Sequence, residues 1–157
     1  MKEAILYLQD GTIFHGRTLK QTGETIGEAV FNTALTGYQE VLTDPSYTGQ
    51  IVVMTYPLIG NYGVNDQDKE SDAIHVKGFV AKEFCRRPSN WRSQQSLIDY
   101  LNEHHILAIE GVDTRALTRH LRISGAMKAI ISTDFKAVRI HERSNIISAG
   151  RHVIFRP

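Results

Sequence analysis

Apolar and polar positions alternate from the first residues of the chain. Ala4, Leu6 and Leu8 fall on one face of an extended segment and Ile5 and Tyr7 on the other, which is the two-residue period of a strand. Asp10-Gly11 follows, a pair suited to the positive φ of a tight turn, and Ile13-Phe14 opens a return strand. The pattern predicts a hairpin of residues 3–8 and 12–19. After the break at Thr22-Gly23 a third strand starts at Ile26 and runs through Ala29, Val30 and Phe31, until Asn32 and Thr33 interrupt it.

Gly37 then permits φ > 0, and Tyr38 to Leu42 reads as a short helix. Asp44-Pro45 stops that helix, because proline has no N–H to donate and restricts the residue before it. Gln50 to Thr55 is a β-branched apolar run, predicted as a buried strand. Tyr56 to Asn65, with one proline, two glycines and two asparagines, reads as a loop. Asp66 to Asp72 is a solvated turn or short helix, and Ile74 to Ala81 another strand. Beyond the Arg86–Asn90 loop, Ser93 is expected to cap a helix that ends near His104 and buries Leu97, Ile98 and Leu101. Ile106 to Ile109 is a strand, Asp113 a second helix cap, and Gly125 the stop of that second helix. Met127 to Ile131 is a last strand. Strands first, then helix and strand in alternation, predict a mixed α/β domain.

Composition changes this picture little. At 157 residues, 41% apolar and 22% charged, the chain is long enough for one domain with a core. A net charge of +1 gives no electrostatic reason to expect nucleic acid or a membrane surface as a partner. No apolar run is long enough to span a bilayer, and the N-terminus lacks the pattern of a signal peptide. The single cysteine, Cys85, excludes an internal disulfide. A cytoplasmic location is the expectation. From Lys136 the periodicity is poor; residues 136–157 are set apart from the domain of residues 1–135 as an atypical tail, a linker or a foreign or frame-shifted end, with weak strands at Val138–Ile140 and Val153–Phe155.

The candidate chemistry is sparse. Cys85 lies between Phe84 and Arg86-Arg87, which could favour a thiolate, but no glycine-rich elbow surrounds it, and an ordinary thiol explains it better. The seven histidines do not repeat at a zinc-binding helical spacing, so no metal site is expected. His104-His105 suits a helix end. Phosphate-loop and dinucleotide fingerprints are absent, so no nucleotide cofactor is expected on this chain. Asp113-Thr114-Arg115 is explained by capping. In Thr43-Asp44-Pro45-Ser46-Tyr47, small polar residues sit on a fixed loop; on pattern alone a well-made turn accounts for them. What remains is a domain without a complete catalytic set, able to supply part of a site to something else.

Four segments, DGTIFHG at Asp10–Gly16, GEAVFNTALTGYQEVLTDPSY at Gly27–Tyr47, TYPLIGNYGVN at Thr55–Asn65 and GVDTRALTRHLRISGAM at Gly111–Met127, together resemble the N-terminal domain of the small subunit of glutamine-dependent carbamoyl phosphate synthetase. The resemblance implies a swivelling β/β/α domain, with a class I glutaminase domain beyond it that holds a Cys-His-Glu triad. It implies a large-subunit partner that uses bicarbonate, ATP and Mg to make carbamoyl phosphate for arginine and pyrimidine synthesis. That glutaminase domain is expected to be absent from this chain and Cys85 does not match the family nucleophile, so this chain alone is expected to be inactive. One functional residue carries over: the serine of the TDPSY segment, here Ser46, reaches the glutamine at the domain junction. The alternative is a docking domain in which Ser46 is only a turn residue.

Overall fold

A computed structural model describes residues 1–136. Seven strands close into a barrel in the order β1-β2-β8-β6-β4-β3-β9, and β9 returns to pair with β1. The strands are β1 (Lys2–Leu8), β2 (Ile13–Thr18), β3 (Glu24–Asn32), β4 (Gln50–Met54), β6 (Gly78–Val80), β8 (Leu107–Glu110) and β9 (Met127–Ser132). β3, β4, β6 and β8 run parallel to their neighbours in that series, whereas the pairings of β1, β2 and β9 are antiparallel. The short strands β5 (Leu58–Ile59) and β7 (Glu83–Phe84) form a separate parallel pair. The helices are α1 (Tyr38–Thr43), α2 (Leu97–Glu103) and α3 (Thr114–Ser124), with a 3-10 turn at Pro45–Tyr47.

The predicted hairpin forms, with Lys2 opposite Thr18 and Tyr7 opposite Ile13. Its turn is closed by Leu8 N–H donating to Thr12 O and Gly11 N–H to Leu8 O, both at 2.9 Å. Alternation along the strands sorts the core. One buried cluster takes Ala4, Leu6 and Leu8, Ala29, Ile51 and Val53, Val80, Leu107 and Ile109, and Ala129 and Ile131. A cluster fed by the same face of six strands of a closed barrel is the barrel interior. Val112, Leu117 and Leu121 join it, so α3 covers one mouth. The other face of β4, Val52 and Met54, packs outside the barrel with Phe79, with Tyr38, Val41 and Leu42 of α1, and with Leu97 and Leu101 of α2. β4 is therefore buried on both faces, which is why it reads as a continuous apolar run rather than an alternating one.

Several expectations need correction. Ser93 does not cap α2. Ser96 does, its hydroxyl accepting the Asp99 N–H at 3.0 Å, while Ser93 Oγ donates to Gln95 O in the preceding bend. The strand expected over Ile74–Ala81 is confined to Gly78–Val80. Val76 is still buried, but His75 N–H donates to Leu42 O of α1, so this stretch packs beneath the helix instead of joining the sheet. The Tyr56–Asn65 loop contains the small strand β5. Asp113 and Gly125 end α3 as expected, with Ala116 N–H donating to Asp113 Oδ1 at 3.0 Å and Gly125 at φ 87°. The mixed α/β class holds, in the form of a barrel flanked by helices. The weak strands expected at Val138–Ile140 and Val153–Phe155 lie outside the described residues.

Candidate functional site

Ser46 stands on the turn between α1 and β4. Gly37, at φ 84°, is the left-handed entry to α1, a conformation that a side chain would strain. After six helical residues Asp44 turns extended, and Pro45 begins a single 3-10 turn. Asp44 makes that turn: its Oδ1 accepts the Ser46 N–H at 2.9 Å, and its carbonyl accepts the Tyr47 N–H at 3.1 Å. The backbone hydrogen bond from Ser46, followed by one from its side chain, holds the Asp44 carboxyl below the usual carboxylate range. At the far end Thr48 Oγ1 donates to Pro45 O at 2.6 Å. Ser46 itself is exposed.

The Ser46 turn is also tied across the fold. Tyr47 is half-buried against the outer core, and its hydroxyl accepts from Asn32 Nδ2 at 3.0 Å. Asn32 is the last residue of β3. Its Oδ1 accepts the Ala34 N–H at 2.8 Å, and its carbonyl accepts the Thr55 N–H at 3.1 Å. Beneath lies a polar scaffold linking α1 to the loop of residues 60–65. The Tyr38 hydroxyl donates to Gly63 O at 2.6 Å and accepts the Tyr62 N–H at 3.2 Å, and the two rings stack with centroids 4.2 Å apart. Burial pushes the Tyr38 phenol far up, so the hydroxyl stays protonated and can donate. Gly37 N–H donates to the Tyr62 hydroxyl at 2.6 Å. Gln39, buried in α1, clamps the backbone of Asn65, accepting its N–H at 3.0 Å and donating to its carbonyl at 2.5 Å.

The remaining candidates are held in structural roles. Cys85 is half-buried and its thiol donates to Arg87 O at 3.2 Å. The Arg86 guanidinium, expected beside the thiol, is engaged on the buried Glu110 carboxylate, which also accepts the Phe84 N–H at 3.0 Å. Asp113-Thr114-Arg115 caps α3. Among the described residues no group of three or more His, Cys, Asp or Glu is placed to hold a metal ion, and no helix is long and apolar enough to cross a membrane. A groove of about 230 Å³ runs beside α1 between Gln39, Asn65, Lys69, Gln94 and His104, and another of about 360 Å³ opens beside His15, Arg17 and Phe135; Ser46 lines neither. An exposed hydroxyl on an open turn can contact a substrate, but enclosing one takes a second surface.

The sequence pattern showed the Asp44-Pro45 stop but missed Asn32 and Tyr47, which tie the turn to β3, and Tyr38 and Gln39, which tie α1 to the loop of residues 60–65. An aromatic residue directly after the serine was the available signal, since a tyrosine that buries its ring needs a partner for its hydroxyl.

Comparison with known proteins places this sequence in a family. The model of the carbamoyl-phosphate synthase small chain, CPSase domain, matches residues 6–131. The carbamoyl phosphate synthase small chain of Nitratidesulfovibrio vulgaris Hildenborough is 56% identical over 156 residues, covering 98% of this chain and 42% of that relative. That of Maridesulfovibrio salexigens is 64% identical over 132 residues, covering 84% of this chain and 35% of the relative. That of Thermotoga maritima is 60% identical over 151 residues, covering 93% and 38%. The chain thus spans between 35% and 42% of the length of these relatives.

Proposed function

From the premise that this chain belongs to the carbamoyl phosphate synthase small-chain family, we propose that it is the domain of the glutamine amidotransferase subunit that completes the glutamine site with Ser46 and helps join that subunit to the large one. Carbamoyl phosphate would be made from glutamine, bicarbonate and ATP, with ATP and Mg held by the large subunit. The barrel with its flanking helices would be the swivelling β/β/α domain of that subunit, over residues 1–135.

The observation that carries this reading is the exposed Ser46 on a turn fixed at both ends. A hydroxyl both donates and accepts, so it can orient the carboxylate or amide of glutamine while the reacting groups come from another domain. Holding it beforehand on a rigid turn lowers the ordering cost of binding. By itself this chain would not release ammonia: its one cysteine donates to Arg87 O, and among the described residues no histidine is hydrogen-bonded to it.

The test is Ser46→Ala in the complete small chain assembled with its large subunit. Loss of one hydrogen bond to substrate should raise the glutamine KM by about two- to ten-fold. A second reading, docking without substrate contact, has one observation in its favour: the Ser46 N–H donates to Asp44 Oδ1 at 2.9 Å, which gives the residue a turn-forming role whatever its hydroxyl does. Glutamine kinetics unaltered by Ser46→Ala would favour that reading and sink the first.

A further inference from the structure

Asn32, at the end of β3, ties the Ser46 turn to the barrel by a side-chain hydrogen bond. The Ala34 N–H at 2.8 Å requires an oxygen as acceptor, which fixes the Asn32 amide with Oδ1 toward Ala34. Nδ2 therefore faces Tyr47 and donates to its hydroxyl at 3.0 Å. The Asn32 backbone carbonyl is taken up in turn by Thr55 N–H at 3.1 Å. Asn32 thus joins three segments at the end of β3: the loop that begins at Thr33, the segment that follows β4, and the 3-10 turn carrying Ser46. The link is long-range in the chain, with Asn32 and Tyr47 lying 15 positions apart. Asp44 and Thr48 shape the turn from within, so its internal geometry survives without Asn32. What Asn32 and Tyr47 add is the placement of that preformed turn relative to the barrel.

We infer that Asn32, acting through the Tyr47 hydroxyl, is the positioning residue for Ser46: it holds the turn at the height and angle from which the serine meets glutamine. The inference rests on the reading of Ser46 proposed above. Neither Asn32 nor Tyr47 has to touch substrate. Their effect is on how much binding energy must be spent to order the turn, so it falls on glutamine binding rather than on the chemical step.

Three variants separate the parts. Tyr47→Phe keeps the buried ring and removes only the hydroxyl. Asn32→Leu removes both side-chain bonds. Asn32→Asp keeps the acceptor for Ala34 N–H and can accept the tyrosine proton in place of donating, which restores the link with the opposite polarity. Two measurements read the result. Amide hydrogen exchange on this chain should show faster exchange at Ala34, whose N–H donates to Asn32 Oδ1, in Tyr47→Phe and Asn32→Leu, near-native exchange there in Asn32→Asp, and little change at Tyr47 and Thr48, whose N–H groups bond within the turn. Glutamine kinetics of the complete small chain with its large subunit should show the KM raised about two- to ten-fold in Tyr47→Phe, with the loss carried in KM and not in kcat, and restored in Asn32→Asp. If Asn32→Leu does not fold, Tyr47→Phe decides alone. A Ser46→Ala variant that raises the KM beside a Tyr47→Phe variant that leaves both KM and exchange unchanged overturns the positioning inference and spares the reading of Ser46. A Ser46→Ala variant without effect on glutamine overturns both.

Discussion

Removing the Tyr38 hydroxyl, by Tyr38→Phe, is the sharpest probe of the scaffold beneath the Ser46 turn. Phenylalanine fills the same space, so the apolar burial of a side chain only 1% exposed is kept and the change is polar. The hydroxyl is partner to two backbone groups, donating to Gly63 O at 2.6 Å and accepting the Tyr62 N–H at 3.2 Å. The Gly63 bond is buried, and an acceptor stranded there costs about 1–3 kcal/mol. The Tyr62 N–H is half-buried and can reach water, so its share is nearer 0.5–1 kcal/mol, on the scale of a net hydrogen bond. The expected loss is about 1.5–4 kcal/mol, a drop in Tm of roughly 5–15 °C for a domain of this size. Tyr62→Phe is the internal comparison. It strips the acceptor from Gly37 N–H in a half-buried setting and should cost about 0.5–1.5 kcal/mol. Urea unfolding followed by far-UV circular dichroism is the appropriate assay. The single tryptophan, Trp91, is 92% exposed and its fluorescence would change little on unfolding. A Tyr38→Phe loss below about 0.5 kcal/mol, or smaller than that of Tyr62→Phe, would refute the reasoning that this hydroxyl holds the loop of residues 60–65 to α1.

Two further outcomes are expected. Ser96→Ala should destabilise by about 1 kcal/mol, the worth of a helix cap, while Ser93→Ala should cost under about 0.5 kcal/mol; equal losses in paired urea titrations would mean the cap is shared. Asp10 is pushed up by partial burial, but hydrogen bonds from Thr12 and His120 outweigh that and leave its pKa lowered from 3.8. A depressed folded-state pKa means the stabilisation is fully present above the unfolded value and is lost as pH falls through the folded one. Stability should therefore decline below about pH 4 with a contribution that Asp10→Asn abolishes; acid unfolding curves of identical slope for the two proteins would contradict it.

The parts of the fold that were legible in the chain were those fixed by local chemistry. Asp10-Gly11 specifies its own hairpin, and Asp113 and Gly125 their own helix ends, because each of these groups is satisfied within a few residues. The cap of α2 was also present as Ser96 followed three residues later by Asp99, the spacing of a capping pair, and was passed over for the earlier serine. Barrel closure was not legible. It depends on β9 pairing with both β1 and β3 and on β8 reaching β2, contacts between segments far apart in the chain whose register nothing local sets. Apolar stretches such as Ile74–Val76 look like strand whether their backbone joins a sheet or, as here, a helix carbonyl.

The same division runs through the site. Asp44-Pro45-Ser46 is a self-contained turn: a carboxylate accepts the N–H two residues on, and a proline fixes φ between them. Its existence could be read from the sequence; how it is held against the barrel could not. A turn left free on the surface would offer a hydroxyl in many orientations, and binding would have to select among them. Asn32 and Tyr47 join that turn to the end of β3, and Tyr38, Gln39 and Tyr62 join the helix leading into it to the next loop. Each bond connects segments at least 15 positions apart, so each becomes available only once the barrel has formed. On the proposed reading, Ser46 would need no chemistry of its own beyond a hydroxyl. What the rest of the domain contributes is that the hydroxyl is already in place, and a stable barrel is the physical condition for that.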